Sequence, residues 1–295
     1  MSAAALAPSP ADEIQRSPGY WAGVLARLRR DPVAMVALTV LVLILLMAIF
    51  APYLAPADPA KGSMLRRLKP IGTPGYPLGA DELGRDMLSR LIWGARLSLL
   101  MGVTPVPMAF VIGSAIGILA GYVGGLTNTL IMRTIDIFYA FPSVLLAVAL
   151  SGALGAGLTN ALVSLTIVFI PPIARIAESV ATQVRGLDYI DAARASGARS
   201  PLIVRVHLLG NVLGPVFVYA TSLISVSMIL ASGLSFLGLG VRPPEPEWGL
   251  MLNTLRTAIY TQPLVAALPG VMIFITSIAF NMLSDGLRAA MDVKR

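Results

Sequence analysis

The chain has 295 residues, of which 56% are hydrophobic and 13% charged, and this excludes an ordinary soluble domain, in which about 25% of residues are charged. The formal net charge of +7 does not indicate a nucleic-acid partner, because the basic residues are dispersed between long apolar stretches. The absence of cysteine excludes disulfides, thiolate metal sites and cysteine nucleophiles. Since Leu, Ala, Val, Ile and Gly dominate the apolar content, the sequence predicts an all-α membrane protein rather than a barrel.

Residues 1–32 form a polar leader, which we expect on the cytoplasmic side. Four of its apolar residues recur at helical spacing: Trp21, Val24, Leu25 and Leu28. With the neighbouring arginines this pattern is typical of a helix lying on a membrane surface, and a solvated basic flank is the alternative. Residues 33–50 are apolar and long enough, with their flanks, to cross a bilayer core of about 30 Å. A cleaved signal peptide is a competing interpretation, but the leader is longer than a usual charged n-region.

Five further membrane spans are predicted after a proline-rich loop. They cover about 97–120, 131–154, 158–177, 212–234 and 264–283. The third span contains Arg133, Asp136 and Pro142 near its start. With the N-terminus inside, the inner segments carry 13 basic residues and the outer segments carry 9. Six spans and this excess predict that both the N- and C-termini are cytoplasmic.

Small and charged residues within the spans give two further expectations. Gly113, Gly117 and Gly121 repeat every four residues, so they line one helix face that another helix can approach closely, in this chain or in a partner. The i, i+3 spacing of Arg133 with Asp136, and of Arg175 with Glu178, predicts ion pairs near span ends. A proton or ion relay is disfavoured, because no acidic residue lies in the middle of a predicted span.

The inner loop between the fourth and fifth spans, at about 178–211, carries the most informative pattern. Asp188 is expected to cap a short helix, which Gly197 ends, and Ser200-Pro201 is expected to begin a second helix. Between them lies a surface of small residues: Asp191, Ala192, Ala193 and Ser196. An ordinary helical hairpin and a surface against which another protein presses are both consistent with this pattern.

This loop resembles the coupling segment of the permease subunits of binding-protein-dependent ABC importers of the oligopeptide, dipeptide and nickel type. The resemblance rests on Asp191-Ala192-Ala193, on Gly197 four residues later, and on Ile203. The chain departs from the family pattern with Asp191 in place of Glu and with Gly210 in place of Pro. Similar motifs follow the family order at 78–90, 234–244, 247–249, 280–281 and 285–288.

The resemblance implies a type I ABC importer permease fold over residues 33–295, in a multi-pass protein of the bacterial inner membrane. It also implies that Asp191, Ala192, Ala193, Ser196, Gly197 and Ile203 belong to a loop that couples transport to an ATPase. The implied partners are a second homologous permease subunit, two ATPase subunits, which hold ATP and Mg, and an extracytoplasmic substrate-binding protein. This chain itself is expected to catalyse no reaction and to bind no cofactor, metal or nucleic acid.

Three alternatives belong to other functional classes. An ion-coupled secondary transporter would need ionisable or broken-helix sites at the midplane, which the sequence does not clearly offer. An intramembrane enzyme would need a convergent catalytic set, whereas the only histidine, His207, lies in the inner loop. A structural membrane protein would give no functional reason for the small-residue hairpin.

The lysines of the chain are Lys61, Lys69 and Lys294, and none lies in a phosphate-binding loop, so an ATP-driven mechanism needs a separate ATPase. No residue identifies the transported solute.

Overall fold

The computed structural model describes residues 20–292, so residues 1–19 of the predicted leader and the basic residues Lys294 and Arg295 lie outside the described part. The α-helices in chain order are α1 (Tyr20–Leu28), α2 (Pro32–Ile49), α3 (Ala51–Leu54), α4 (Met87–Val103), α5 (Pro105–Val123), α6 (Gly125–Tyr139), α7 (Ser143–Leu154), α8 (Leu158–Arg185), α9 (Asp188–Ala195), α10 (Ser200–Ile203), α11 (Leu209–Phe236), α12 (Trp248–Thr254) and α13 (Pro263–Met291).

Five helical segments within residues 20–292 are long and apolar enough to cross a membrane. They are Pro32–Ile49, Met87–Val123, Leu158–Arg185, Ser200–Phe236 and Pro263–Met291. The first agrees with its predicted span to within a residue. The others are longer than predicted, because polar residues at their ends are accommodated by hydrogen bonds inside the protein. In the second segment, for example, Arg96 donates from Nε to the Ala48 carbonyl of α2 at 2.8 Å.

The third predicted span, 131–154, is not one continuous helix. Helices α6 and α7 meet at an angle of 88°, and the break falls at Ala140–Pro142. Pro142 has an extended backbone (ψ 126°) and carries no N–H, so it ends the hydrogen-bonding pattern of α6 and α7 starts afresh after it. We call this break the elbow, and the predicted third span is therefore a bent pair of helices.

Helix α1 is present where the leader's apolar periodicity predicts one. Val24 is buried, and Arg27 donates from Nε to the carbonyl of Ala290 near the end of α13 at 2.7 Å. Trp21 and Leu25 remain exposed, at 62% and 48%. This amphipathic helix is therefore attached to the last helix of the bundle, and its contact with a membrane surface stays a prediction.

The helices start where their sequences favour a start. Asp31 accepts hydrogen bonds from the backbone N–H groups of Val33 and Ala34, and Pro32 occupies the first turn of α2. Asp86 caps α4 in the same manner by accepting from the Ser89 N–H at 2.8 Å. The described residues form three buried apolar clusters: one centred on α5, α8 and α11, one on α2, α4, α12 and α13, and a small one between α5, α6 and α8.

The proline-rich loop before α4 is ordered by a buried ionic cluster. Asp81 accepts at Oδ1 from the Leu83 and Arg85 N–H groups, and at Oδ2 from Arg85 Nε at 2.6 Å. Arg90 Nε lies 3.3 Å from the same Oδ2, and Arg90 Nη1 donates to the Pro59 carbonyl. The carboxylate and both guanidinium groups are buried, so a single negative charge is shared between two positive charges. The i, i+4 spacing of Asp81 and Arg85 is visible in the sequence, but the burial of Arg90 is not.

Another buried carboxylate, Glu247, caps the start of α12. It accepts from the N–H groups of Gly249 and Leu250 at 2.8 Å each, and from Ser98 Oγ of α4 at 3.0 Å. Burial raises the pKa of the Glu247 carboxyl above its usual value, and the hydrogen bonds from Gly249 and Leu250 oppose that shift. Next to it, Trp248 is fully buried and donates from Nε1 to the Leu91 carbonyl. These contacts attach the loop before α12 to α4.

Replacing Glu247 with Gln is expected to destabilise the protein by about 1–3 kcal/mol, because the amide NH2 cannot accept one of the two backbone N–H groups that the carboxyl oxygens accept. Because its pKa is raised, Glu247 contributes fully to the free energy of unfolding below about pH 4.5, the ordinary pKa of a glutamate carboxyl. This contribution is lost as the pH rises through the pKa of the folded state. The stability gap between wild type and variant should therefore narrow from acidic to neutral pH. Thermal unfolding in detergent measures it, with exposed Glu245→Gln as control; a gap that widens with rising pH would contradict this account.

Candidate functional site

The inner hairpin consists of α9, a tight turn and α10. Leu187 is the residue before α9 and Asp188 is its first residue, without a capping hydrogen bond, so the predicted Asp188 cap was wrong. The predicted end of the helix is confirmed: Gly197 has φ +80°, and the following N–H of Ala198 donates to the Ala193 carbonyl at 3.1 Å. The predicted start of α10 at Ser200-Pro201 is also confirmed.

Three buried aliphatic side chains attach the hairpin to the bundle. Ile190, Ile203 and Leu208 are at most 1% exposed and belong to the cluster of α5, α8 and α11. Tyr189 and His207 lie with ring centroids 5.9 Å apart, and Asn211 donates from Nδ2 to the Tyr189 hydroxyl at 3.2 Å. The hairpin is thus packed against the helices below it rather than hanging from them.

The small-residue surface predicted for the hairpin lies on its exposed side. Asp191, Ala192, Ser196 and Gly197 are exposed, Ala193 is partly buried, and Ile203 belongs to the buried attachment instead. Four of the six predicted coupling residues are therefore accessible, whereas Ala193 and Ile203 pack towards the core. Ile203 serves the same segment by holding α10 in the core.

The exposed face carries a modest electrostatic feature. Asp191 Oδ1 accepts from Arg194 Nη1 at 2.9 Å, and the Arg194 guanidinium lies 5.8 Å from the centroid of the Tyr122 ring in α5. Both charged side chains are substantially exposed, so this ion pair contributes at most about 1 kcal/mol to stability. The ion pair instead fixes the orientation of the Asp191 side chain in the first turn of α9.

The hairpin continues into α11 without a break. A π-helical turn, Val204–Leu208, joins α10 to α11, so helical backbone runs from Ser200 to Phe236. The predicted fifth span, at 212–234, is only the apolar part of this helix.

The glycine face of α5 packs inside this chain. A methyl group at Gly113 would lie 3.0 Å from the Ile170 carbonyl oxygen of α8; one at Gly121 would lie 2.7 Å from that of Glu178. At Gly117 it would overlap the Ala174 carbonyl oxygen. The backbones of α5 and α8 therefore touch along three successive turns. Of the two alternatives, a neighbouring helix in this chain or in a partner, the structure shows the first, because α8 occupies this face.

Of the two predicted ion pairs, Arg133 with Asp136 is present in the structure and Arg175 with Glu178 is not. Asp136 of α6 binds Arg175 of α8 between Oδ1 and Nη2, and Arg133 is more distant, at 3.9 Å from Oδ2. Glu178 accepts from Asn128 Nδ2 at 2.7 Å and does not pair with Arg175. The signal that the sequence analysis missed is that Asp136 and Arg175 have opposite charges in neighbouring predicted spans. Within residues 20–292, no three His, Asp or Glu side chains converge as metal ligands would.

A bundle of long apolar helices, joined by an attached hairpin with an exposed small-residue face, defines an integral membrane permease subunit. The chain belongs to the family of binding-protein-dependent transport system inner membrane components, which residues 113–294 match. Residues 19–70 match the N-terminal transmembrane domain of oligopeptide transport permease C. The chain is thus the permease subunit of an ABC importer and a multi-pass inner membrane protein.

Relatives of known name cover nearly the whole chain. A glutathione transport system permease protein of Pectobacterium atrosepticum is 39% identical over 283 residues, which are 96% of this chain and 93% of the relative. A di/tripeptide transport system permease protein of Pseudomonas aeruginosa is 40% identical over 292 residues, 97% and 93% of the two chains. A solved chain of the MetNI methionine ABC transporter, in inward-facing conformations, is 24% identical, with a TM-score of 0.57 over 69% of this chain and 97% of that chain. This last likeness concerns the fold, the type I importer permease fold.

Proposed function

We propose that this chain and a second, related permease subunit together form the translocation pathway of an importer for short peptides, of the size of dipeptides, tripeptides or glutathione. Two ATPase subunits would hold ATP and Mg on the cytoplasmic side, and an extracytoplasmic binding protein would deliver the solute. This chain would bind no cofactor of its own. The observation that carries the substrate class is 39–40% identity, over almost the whole chain, to permeases named for glutathione and di/tripeptide transport.

The hairpin offers a way for movement of the ATPase subunits to reach the membrane helices. We infer that the exposed face of α9, with Asp191, Ala192, Ser196 and Gly197, docks on an ATPase subunit. Closure of the ATPase pair on ATP would then move α9 as a rigid element, because Ile190 and Ile203 hold the hairpin in the bundle. Displacement of packed helices between two discrete arrangements would open the pathway alternately to either side.

The docking role requires a cytoplasmic hairpin, and therefore cytoplasmic termini. We expect position 200 to face the cytoplasm and position 74, in the loop before α4, to face outward. The chain has no cysteine, so a thiol reagent can label a single-cysteine variant, Ser200→Cys or Pro74→Cys, only at the introduced residue. An impermeant thiol reagent should label position 74 in intact cells, and position 200 only after permeabilisation. The reverse pattern would overturn the orientation.

The function as a whole is tested by reconstitution in liposomes. The complete set of this chain, its permease partner, the ATPase subunits and the binding protein should concentrate a labelled dipeptide or glutathione when ATP is supplied. Omission of any one component should abolish uptake. Concentrative uptake by this chain alone, driven by an ion gradient, would instead identify a secondary transporter. Failure of the complete set on every peptide tested would reject the substrate class.

A further inference from the structure

A charged pair lies on a helix face inside the long apolar segment 158–185. Helix α8 has 28 residues, so it is about 42 Å long, whereas a bilayer core is about 30 Å thick. Arg175 lies about 26 Å from the Leu158 end and about 15 Å from the Arg185 end, so it is at neither end of the helix. Its partner Asp136 is on α6, and their side chains are 45% and 30% exposed in this chain.

Exposed charges at this depth restrict what this face can contact. Ionised side chains inside a membrane face protein or a water-filled cavity, because hydrocarbon does not solvate them. The face that carries Asp136 and Arg175 therefore does not meet lipid. It faces either another subunit or the aqueous pathway, and the surroundings of the pair distinguish these two.

A cavity of about 390 Å³ lies at the elbow between α6 and α7. Its lining residues Tyr139 and Pro172 each lie about one helical turn along the chain from one member of the pair, Asp136 and Arg175 respectively. Aromatic side chains provide much of the lining: Phe138, Tyr139, Phe141, Phe169 and Tyr219. The tyrosine hydroxyls add polar groups to an otherwise apolar wall.

The same cavity borders backbone acceptors that the helix does not use. Pro171 and Pro172 of α8 line it, and neither has the N–H that would donate to the carbonyl four residues earlier. Those carbonyls belong to Ile167 and Val168, and Val168 itself lines the cavity. Carbonyls without helical donors are tolerated at membrane depth where they line a water-filled cavity or are buried in protein.

We propose that the elbow cavity and the Asp136–Arg175 pair form a transit site that binds a short peptide during translocation. Asp136 and the freed carbonyls accept from the peptide's ammonium and N–H groups, Arg175 binds its carboxylate, and the aromatic wall contacts its side chains. Binding replaces the ion pair between Asp136 and Arg175 with two ion pairs to the zwitterionic peptide. When no peptide is bound, Asp136 and Arg175 pair with each other again. The proposal rests on the proposed function as a peptide importer and names the part of the pathway that this chain contributes.

Charge variants in the reconstituted complete transporter test the site, with labelled alanyl-alanine as the probe. Asp136→Asn and Arg175→Gln should each lower uptake about tenfold, the effect of losing one charged hydrogen bond, while ATP hydrolysis continues. Glu178→Gln is the matched control on α8, one turn further along, and should transport normally. The reversed pair, Asp136→Arg with Arg175→Asp, keeps the ion pair but exchanges the two binding groups, so uptake should stay low. Full recovery in the reversed pair would overturn the proposal, because it would make the pair merely structural.

A labelling measurement keeps the test independent of how the charge variants fold. In the complete transporter, Tyr139→Cys should react with a water-soluble cationic thiol reagent, and saturating alanyl-alanine with binding protein and ATP should slow this reaction severalfold. Val111→Cys, 67% exposed on α5, should show no slowing. A Tyr139→Cys that does not react, or a rate that the peptide leaves unchanged, would overturn the transit site. Failure of the wild type to import any peptide would reject the proposed function instead, so the two failures are distinguishable.

Discussion

Replacement of Gly197 by Glu is expected to abolish ATP-driven uptake while the protein remains folded and inserted. Gly197 has φ +80°, a conformation that disfavours side chains by about 1–2 kcal/mol, although no atom lies within 4 Å of the position of an added Cβ. The strain is small against the stability of the whole bundle, but it acts on the turn that orients α9. The glutamate also places a charge on the face proposed to dock on the ATPase.

The measurement is the ratio of uptake to ATP hydrolysis in the reconstituted transporter, together with the amount of ATPase that co-purifies. Gly197→Asn is the first control, because Asn tolerates the left-handed conformation, and it should retain most of the uptake. Gly210→Glu is the second, because it adds the same charge nearby at an open position without positive φ. Normal coupled transport by an inserted Gly197→Glu variant would reject the docking role.

Replacement of Gly117 by Val should have the largest effect on folding. The first added carbon would overlap the Ala174 carbonyl oxygen and lie 2.7 Å from Ala177 Cβ and 2.8 Å from the Glu178 nitrogen. These neighbours are mostly backbone atoms, which cannot rotate away as a side chain can. Separating α5 from α8 should cost about 3 kcal/mol or more, beyond the usual penalty of an overfilled core.

Size-exclusion chromatography and thermal unfolding of the solubilised protein measure this effect. Gly117→Val should be recovered mainly as aggregate or with a clearly lowered unfolding temperature. Gly152→Val is the matched control, since it changes a glycine of α7 that has no atom within 4 Å of the new Cβ. Equal stability of the two variants would show that α5 and α8 are not held in backbone contact at this turn.

Features set by local chemistry were predictable from the sequence. The hairpin is the clearest case, because a left-handed Gly197 and the Ser200-Pro201 start depend on only a few neighbouring residues. The apolar spans were predictable for the same reason, apart from polar ends that tertiary hydrogen bonds stabilise. Pro142 predicted a disturbance of the third span, but the 88° angle depends on how α6 packs against α8.

Features that depend on distant residues were not predictable. The glycine repeat in α5 predicts a close helix neighbour, but nothing in it specifies α8. Arg175 has Glu178 at helical spacing, yet it binds Asp136, which is 39 residues away in sequence and belongs to another helix. The i, i+3 rule describes what an isolated helix allows, and a residue from a neighbouring helix displaced the local partner.

The backbone contact between α5 and α8 restricts where this chain can flex. Contact at three successive turns leaves the two helices no freedom to slide past each other, so they translate and rotate as one rod. The rod ends at Arg185, just before α9, and any displacement of α9 therefore carries α5 with it. Bending is left to the elbow before Pro142, where helical backbone is interrupted between α6 and α7. Stiffening the elbow would oppose movement of α7 relative to α6 without touching α9.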